Sequence, residues 1–339
     1  MEFPKTSNPI YNEFFSRSNV KTKVENTIWR GQPSENSFCF VNPTVKYKER
    51  KDVVLNKLGE VFNIHSEYFK TKFEMAISGD GQEVKRISTL HSSSLAALLL
   101  LYSVSKDKPL ECVLNGKKYT FTDSFFEVKT NVKDIHFSNM DVVLVGKNSE
   151  GQNVIFFLES KFSEYFNTGM CNDISLDAYK DKYEELGLTN NNKAISGLHF
   201  EFGKGTDNKD CLQIKSDTPQ YCGGIKQMIS HYIGVINFAM NGAKAMDSTQ
   251  EEQPFYHKLA NKQNSEGTEI ILGEVLFDFG DKVSNGKTKL ENYSSIYKEL
   301  AMILNNHTSK LYVLPKILTY QELLKGFELD KKVKDFYQL

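Results

Sequence analysis

The stretch that most constrains this chain runs from Asn139 to Phe162. It reads Asn-Met-Asp-Val-Val-Leu-Val, then Gly-Lys-Asn-Ser-Glu-Gly-Gln, then Asn-Val-Ile-Phe-Phe-Leu-Glu-Ser-Lys-Phe. Two apolar runs rich in β-branched and aromatic residues flank a polar turn, the pattern of two antiparallel strands joined as a hairpin. With the turn centred near Ser149 or Glu150, Asp141 falls opposite residues 157 to 159, within about one side-chain pair of Glu159. Side chains alternate along a strand, so Glu159 and Lys161 share one face while Leu158 and Ser160 take the other. Two carboxylates and an amine therefore meet at one edge of a sheet.

Burial and mutual repulsion raise the pKa of two such acids unless a cation lies between them. A hard divalent ion suits the place. Mg²⁺ prefers oxygen ligands and keeps several waters, so Asp141, Glu159 and the Ser160 carbonyl leave positions for water and a phosphate, and Mn²⁺ could substitute. Lys161 then orients or deprotonates a water and stabilises charge on the phosphate. The competing account is a surface strand whose Glu159 and Lys161 form only an ion pair. Glu-x-Lys alone decides nothing, since it recurs at Glu83 to Lys85 and at Glu127 to Lys129. Reflecting Glu127 through the Asn115-Gly116 turn places it opposite Val104, so no carboxylate faces it there.

An Asp opening one strand, with Glu-x-Lys closing the next eighteen residues later, resembles the PD-(D/E)XK nuclease superfamily and its restriction-endonuclease-like fold. Arg86 to Val104, Arg-Ile-Ser-Thr-Leu-His-Ser-Ser-Ser-Leu-Ala-Ala-Leu-Leu-Leu-Leu-Tyr-Ser-Val, is similar to the helix of one bacterial restriction-endonuclease branch that opens with Ser-Ser-Gln. Here Ser94 stands in place of the Gln. Gln227 begins Gln-Met-Ile-Ser-His-Tyr, similar to the Gln-containing helix that follows Glu-x-Lys in the superfamily, and Met140 replaces the usual Pro before Asp141. The resemblance covers roughly residues 85 to 330. It implies an α/β fold with a mixed central sheet flanked by helices, and a metal-dependent endonuclease hydrolysing DNA, with RNA as the open alternative. It also implies Gln227 as the residue positioning substrate or water, and Glu127 as either a further metal ligand or a surface strand carboxylate. The rival function is a nucleic-acid-binding or interaction module that keeps the fold without the chemistry.

Net charge is −1, which excludes bulk attraction to nucleic acid but not a local basic cleft. Cysteines at 39, 112, 171, 211 and 222 form no Cys-x-x-Cys pair and read as buried thiols of a reducing compartment. The opening Met-Glu-Phe-Pro-Lys-Thr-Ser lacks a secretory pattern, and the longest apolar run, Leu95 to Tyr102, is too short to span a membrane. A cytoplasmic protein without a membrane partner is expected, and a homodimer is compatible with this. No Gly-x-Ser-x-Gly or His-Glu-x-x-His motif points to another hydrolase.

In chain order, residues 1 to 85 form an N-terminal arm and helices packed on the core, and 86 to 339 form the nuclease-like domain. Residues 1 to 45 read as a polar, irregular arm, and 46 to 73 as amphipathic helices. Ser92 to Ser94 cap an apolar helix through about Val104, with His91 beside it as either a structural or a phosphate-contacting residue. Strands follow at 112 to 114 and 118 to 128. One helix, Leu176 to Leu186, lies in a long segment with polar loops such as Gly203-Lys-Gly-Thr-Asp-Asn. A helix from Ile225 to about Met240 carries Gln227 and His231, the latter read as a helix residue rather than a base. A strand at 269 to 279, a helix at 293 to 305, a strand at 311 to 318 and a terminal helix at 320 to 327 complete the order. The connection from the Glu159 strand to the 269 strand is expected to be a right-handed crossover.

Overall fold

The computed structural model describes residues 9–17, 25–28, 36–41, 47–78, 83–166, 173–188, 195–204, 210–217, 221, 223–263 and 267–339. Cys171, Cys222 and positions 205–208 of the polar loop lie outside these.

Two helical turns, Ile10–Phe14 and Phe15–Arg17, come first, and then a two-stranded antiparallel ribbon of β1 (Glu25–Ile28) and β2 (Asn36–Cys39). The arm is thus more regular than its composition suggests. Among the described residues the ribbon meets another segment only at its end, where Cys39 bridges to Thr89, so neither strand needs the alternating pattern of a half-buried strand. Tyr11, Phe14 and Phe15 anchor the arm, with Phe14 and Phe15 packing on Phe162. Four helices follow: α1 (Tyr47–Phe62), α2 (Glu67–Ala76), the short α3 (Glu83–Arg86) and α4 (Ser93–Leu101). Ser92 caps α4 by accepting the Leu95 amide, as its hydroxyl and position require. Leu95 to Leu101 are all buried, which an all-round apolar helix must be.

The central sheet begins with β3 (Leu110–Leu114), β4 (Lys117–Lys133), β5 (His136–Asn148) and β6 (Asn153–Lys161), an antiparallel meander. β4 runs five residues past the expected Val128. Its far half pairs with β5 beyond the reach of β3, and on its other edge Thr130 makes an isolated bridge to Met246. A second, three-stranded sheet then appears, built from β7 (Asp173–Ser175), β8 (Leu198–Lys204) and β9 (Asp210–Ser216) in the order β7-β9-β8. The expected helix, α5 (Leu176–Glu185), follows β7. This small sheet was not anticipated, because its strands are short and interrupted by polar loops.

The remaining elements are α6 (Gly223–Asn241), α7 (Pro254–Gln263), β10 (Glu269–Leu276), α8 (Gly286–Asn305), β11 (Tyr312–Val313), β12 (Leu318–Thr319), α9 (Tyr320–Leu323) and α10 (Lys331–Tyr337). The expected strand at 311 to 318 is split into β11 and β12, with Pro315, which has no amide hydrogen to give a ladder, between them. The expected terminal helix stops at Leu323, and Gly326 at φ 84° turns the chain toward α10. β10 lies parallel to β6, β11 and β12, so the seven-stranded sheet is mixed, in the order β11-β10-β6-β5-β4-β3 with β12 also on β10.

Helices cover both faces of this sheet, and β6 makes the division legible. Phe157 meets Phe238 of α6, while Ser160 Oγ donates to Ser93 O of α4 and lies 2.7 Å from Tyr320 Oη of α9. The chain is therefore α/β with a mixed, curled central sheet and flanking helices, and one buried apolar cluster runs from Ile10 to Tyr337. Cys39, Cys112 and Cys211 are buried thiols outside any disulfide, as expected. No helix among the described residues is long and apolar enough to cross a membrane.

Candidate functional site

The β5–β6 ladder ends at the pair Val142 and Leu158. One residue further on, Asp141 and Glu159 stand opposite each other, but the strands part. Asp141 Oδ2 instead accepts the Ser160 amide at 2.8 Å. The ladder partner of β6 on its other side is β10, where Phe277 N donates to Lys161 O. Because N–H and C=O of one strand residue point the same way, the Ser160 carbonyl is turned toward Asp141. Glu159 and Lys161 share the α6 face as alternation requires, with Lys161 Nζ 2.5 Å from Glu159 Oε1. Lys161 also donates to Gln227 Oε1 at 2.8 Å. The structure thus brings Asp141, Glu159, Lys161 and Gln227 together at one end of the sheet, lining a cavity of about 790 Å³, with the Ser160 backbone bonded to Asp141 beside them.

Glu127 joins them, and the route is one the hairpin reflection overlooked. Opposite β3, position 127 has no carboxylate partner. The neighbour that matters is β5, where Phe126 faces Val142 and Val128 faces Met140, so Glu127 stands across from Asp141. Its backbone is left-handed, φ 50°, a kink within the strand at the site itself. Lys129 of the same Glu-x-Lys is 3.8 Å from Asp247, away from the cavity.

Three residues enter that sequence reasoning did not place here. Glu83 of α3 is buried in the cavity wall with Oε2 lacking a hydrogen-bond partner. His231, read as an ordinary helix residue, is buried, and its Nε2 lies 2.9 Å from Glu159 Oε2, though off the hydrogen-bond line. Its Nδ1 is bonded to Ser138 Oγ. Glu274 of β10 is in register with Glu159 and wholly buried, accepting from Tyr293 Oη at 3.0 Å. His91 lines the cavity and is bonded through Nδ1 to Tyr11.

The charges explain one another. Burial pushes Asp141 well above the usual carboxylate range, and Glu159 adds to it. Burial and then the Asp141 and Glu83 carboxylates do the same to Glu127. Glu159 is buried too, but Lys161 and His231 outweigh that and pull it down to about 2. For Lys161, burial opposes the charge, yet Glu159 and further anionic neighbours hold its ammonium well above the usual range. Burial raises Glu274 to about 8 against the pull of Lys161.

Among the described residues, no group of three His, Cys, Asp or Glu side chains is placed to hold one metal ion. Glu127, expected as a further metal ligand, is therefore not placed to share one ion with Asp141 and Glu159, which leaves those two carboxylates and the Ser160 carbonyl, with water completing a Mg²⁺ shell. Glu159 accepts from Lys161 and lies beside His231, but a carboxylate offers about four acceptor positions, so capacity remains for an ion. The unpartnered Glu83 oxygen and the acids forced toward protonation are what a shared cation relieves. The donor chemistry therefore fits a hard divalent ion. No protein-family model, curated protein or solved structure matches this chain.

Proposed function

We propose that the chain is a metal-dependent endonuclease that hydrolyses DNA phosphodiester bonds at a restriction-endonuclease-like PD-(D/E)XK site. The observation that carries this reading is the Asp141, Glu159, Lys161 and Gln227 constellation, joined by contacts of 2.5 to 2.8 Å at the mouth of a parting hairpin. Asp141, Glu159 and the Ser160 carbonyl are the groups that would hold Mg²⁺ or Mn²⁺, with Glu127 and Glu83 adding negative charge behind them. A divalent ion bound there neutralises the phosphate and lowers the pKa of water.

The chain's own groups do the rest. Lys161 Nζ, fixed by Glu159 and Gln227, orients the attacking water and stabilises charge on phosphate oxygens. Gln227 accepts from Lys161 and fixes where that donor points. Water attacks phosphorus as the bond to the sugar 3′ oxygen breaks in line, the water's proton passing to solvent and the departing oxygen taking one from solvent, a geometry that a fixed lysine and fixed carboxylates favour. The test is cleavage of plasmid, single-stranded and duplex DNA with Mg²⁺ or Mn²⁺, comparing wild type with Asp141→Asn and Lys161→Met. Undiminished cleavage in both variants would sink the assignment.

One observation favours a second reading, a binding module without chemistry. The Glu159–Lys161 pair is closed and buried on both sides, as an inert ion pair would be. Calorimetric titration with Mg²⁺ separates the two, because the inert pair leaves no ion-dependent heat.

A further inference from the structure

Of the phenylalanines whose side chains are described, all but Phe137 and Phe202 belong to the apolar core or pack against it. Phe202 lies in the small second sheet. Phe137 lines the cavity that holds the acids, four residues before Asp141 on β5, and makes no ring contact with a described residue. A partly buried aromatic ring that neither joins the core nor finds an aromatic partner has a π-face to offer.

Position gives that face a use. Phe137, Asn139 and Asp141 are alternate residues of β5, and all three line the cavity. Alternate strand residues are about 6.5 to 7 Å apart, so Phe137 stands roughly 13 Å from Asp141 along the wall, with the Asn139 amide between them. A nucleotide adjoining one whose phosphate sits at Asp141 would reach the ring. The ring stands on the wall of a cavity of about 790 Å³. Glu83, Glu127, Glu159 and Lys161 are buried in it. A base paired and stacked within a duplex has no face to give the Phe137 ring, whereas an unpaired base has one. Net charge is −1, so bulk electrostatics contributes little, and stacking adds a sequence-tolerant source of affinity beside the Arg86 and Lys226 charges that line the cavity.

Resting on the nuclease reading above, we infer that the site takes a single-stranded or locally unpaired strand, and that Phe137 stacks on a base beside the scissile phosphate.

The test compares wild type, Phe137→Ala and Phe137→Trp, each checked for an unchanged melting temperature. Binding is read by anisotropy with fluorescein-labelled oligothymidine and with the same strand annealed to its complement, with Ca²⁺ replacing Mg²⁺ so that binding is read apart from turnover. Loss of one base stack weakens oligothymidine binding in Phe137→Ala by roughly 5- to 150-fold and leaves duplex binding nearly unchanged. Phe137→Trp keeps the affinity, and its added indole is quenched by oligothymidine, a signature that a merely structural ring would not give. Equal losses on both probes, no loss, or an unquenched indole overturns the proposal. The two readings fail separately. If wild type with Mg²⁺ cleaves no nucleic acid while oligothymidine binds and quenches, the nuclease assignment falls and the stacking site stands. If fully paired duplex is cut as fast as single strand and Phe137→Ala matches wild type on both, the stacking site falls and the nuclease stands.

Discussion

Asp141 takes the Ser160 amide at 2.8 Å, in the place where a continued β5–β6 ladder would have set a backbone carbonyl. That single contact marks where the sheet stops being a ladder and becomes a site. It turns the Ser160 peptide toward the acids while the other edge of β6 stays bonded to β10.

The closed pair beside it sets a stability expectation. Removing Lys161 alone, as Lys161→Met, strands a buried Glu159 and should cost about 3–5 kcal/mol. The double variant Glu159→Gln/Lys161→Met should recover most of that loss, since both charges leave together. Urea denaturation of the four proteins in a double-mutant cycle measures it, and additive losses would show that the pair is not coupled.

Metal binding should release protons. Asp141 and Glu127 are pushed well above the usual range by burial and by neighbouring carboxylates, and a cation requires them ionised. Calorimetry with Mg²⁺ near neutral pH, in buffers of different ionisation enthalpy, should show proton release in wild type and less of it in Glu127→Gln. Buffer-independent heats would contradict these shifts.

Glu274 predicts a pH dependence of stability. It is wholly buried, and burial raises it to about 8 from an ordinary value of 4.5. The unfolded chain ionises first, so folded stability declines as pH rises from about 4.5 toward 8, by on the order of 4 kcal/mol. Glu274→Gln should match wild type near pH 4 and exceed it at pH 8. Glu159 runs the other way: held down to about 2, its contribution is present above 4.5 and is lost as pH falls toward 2. Denaturation midpoints across pH decide both, and identical curves for Glu274→Gln and wild type would refute the first.

The α6 helix is seated on the β4–β5 arm through a glycine. A Cβ at Gly234 would lie 2.4 Å from Thr130 Oγ1 and 3.2 Å from Ser138 Cβ. Gly234→Ala should therefore destabilise by roughly 1–3 kcal/mol and displace His231 from Glu159. Thr130 Oγ1 has no hydrogen-bond partner, so Thr130→Ala removes the obstacle at little cost. Thermal melts should show Thr130→Ala/Gly234→Ala close to wild type, whereas Thr130→Ser/Gly234→Ala, which keeps the oxygen, should stay impaired.

Local pattern carried much of this architecture. The apolar runs around residues 146–152 dictate the hairpin, period-two alternation puts Glu159 and Lys161 on one face, and the serines before Leu95 dictate the start of α4. Asp141 opposite Glu159 follows from turn length alone. Other features had no local trace. Glu127 meets Asp141 only because β4 pairs with β5 beyond the reach of β3, and a reflection through one turn sees one neighbour of a strand that has two. Glu83, His231 and Glu274 come from α3, α6 and β10, 58 to 133 residues from Asp141, and their meeting depends on helix docking and on the parallel β6–β10 register. The chain by itself determined which groups can be charged. Tertiary packing decided which of them lose their water and face one another, because desolvation and Coulomb interaction depend on distances through space that sequence spacing does not encode.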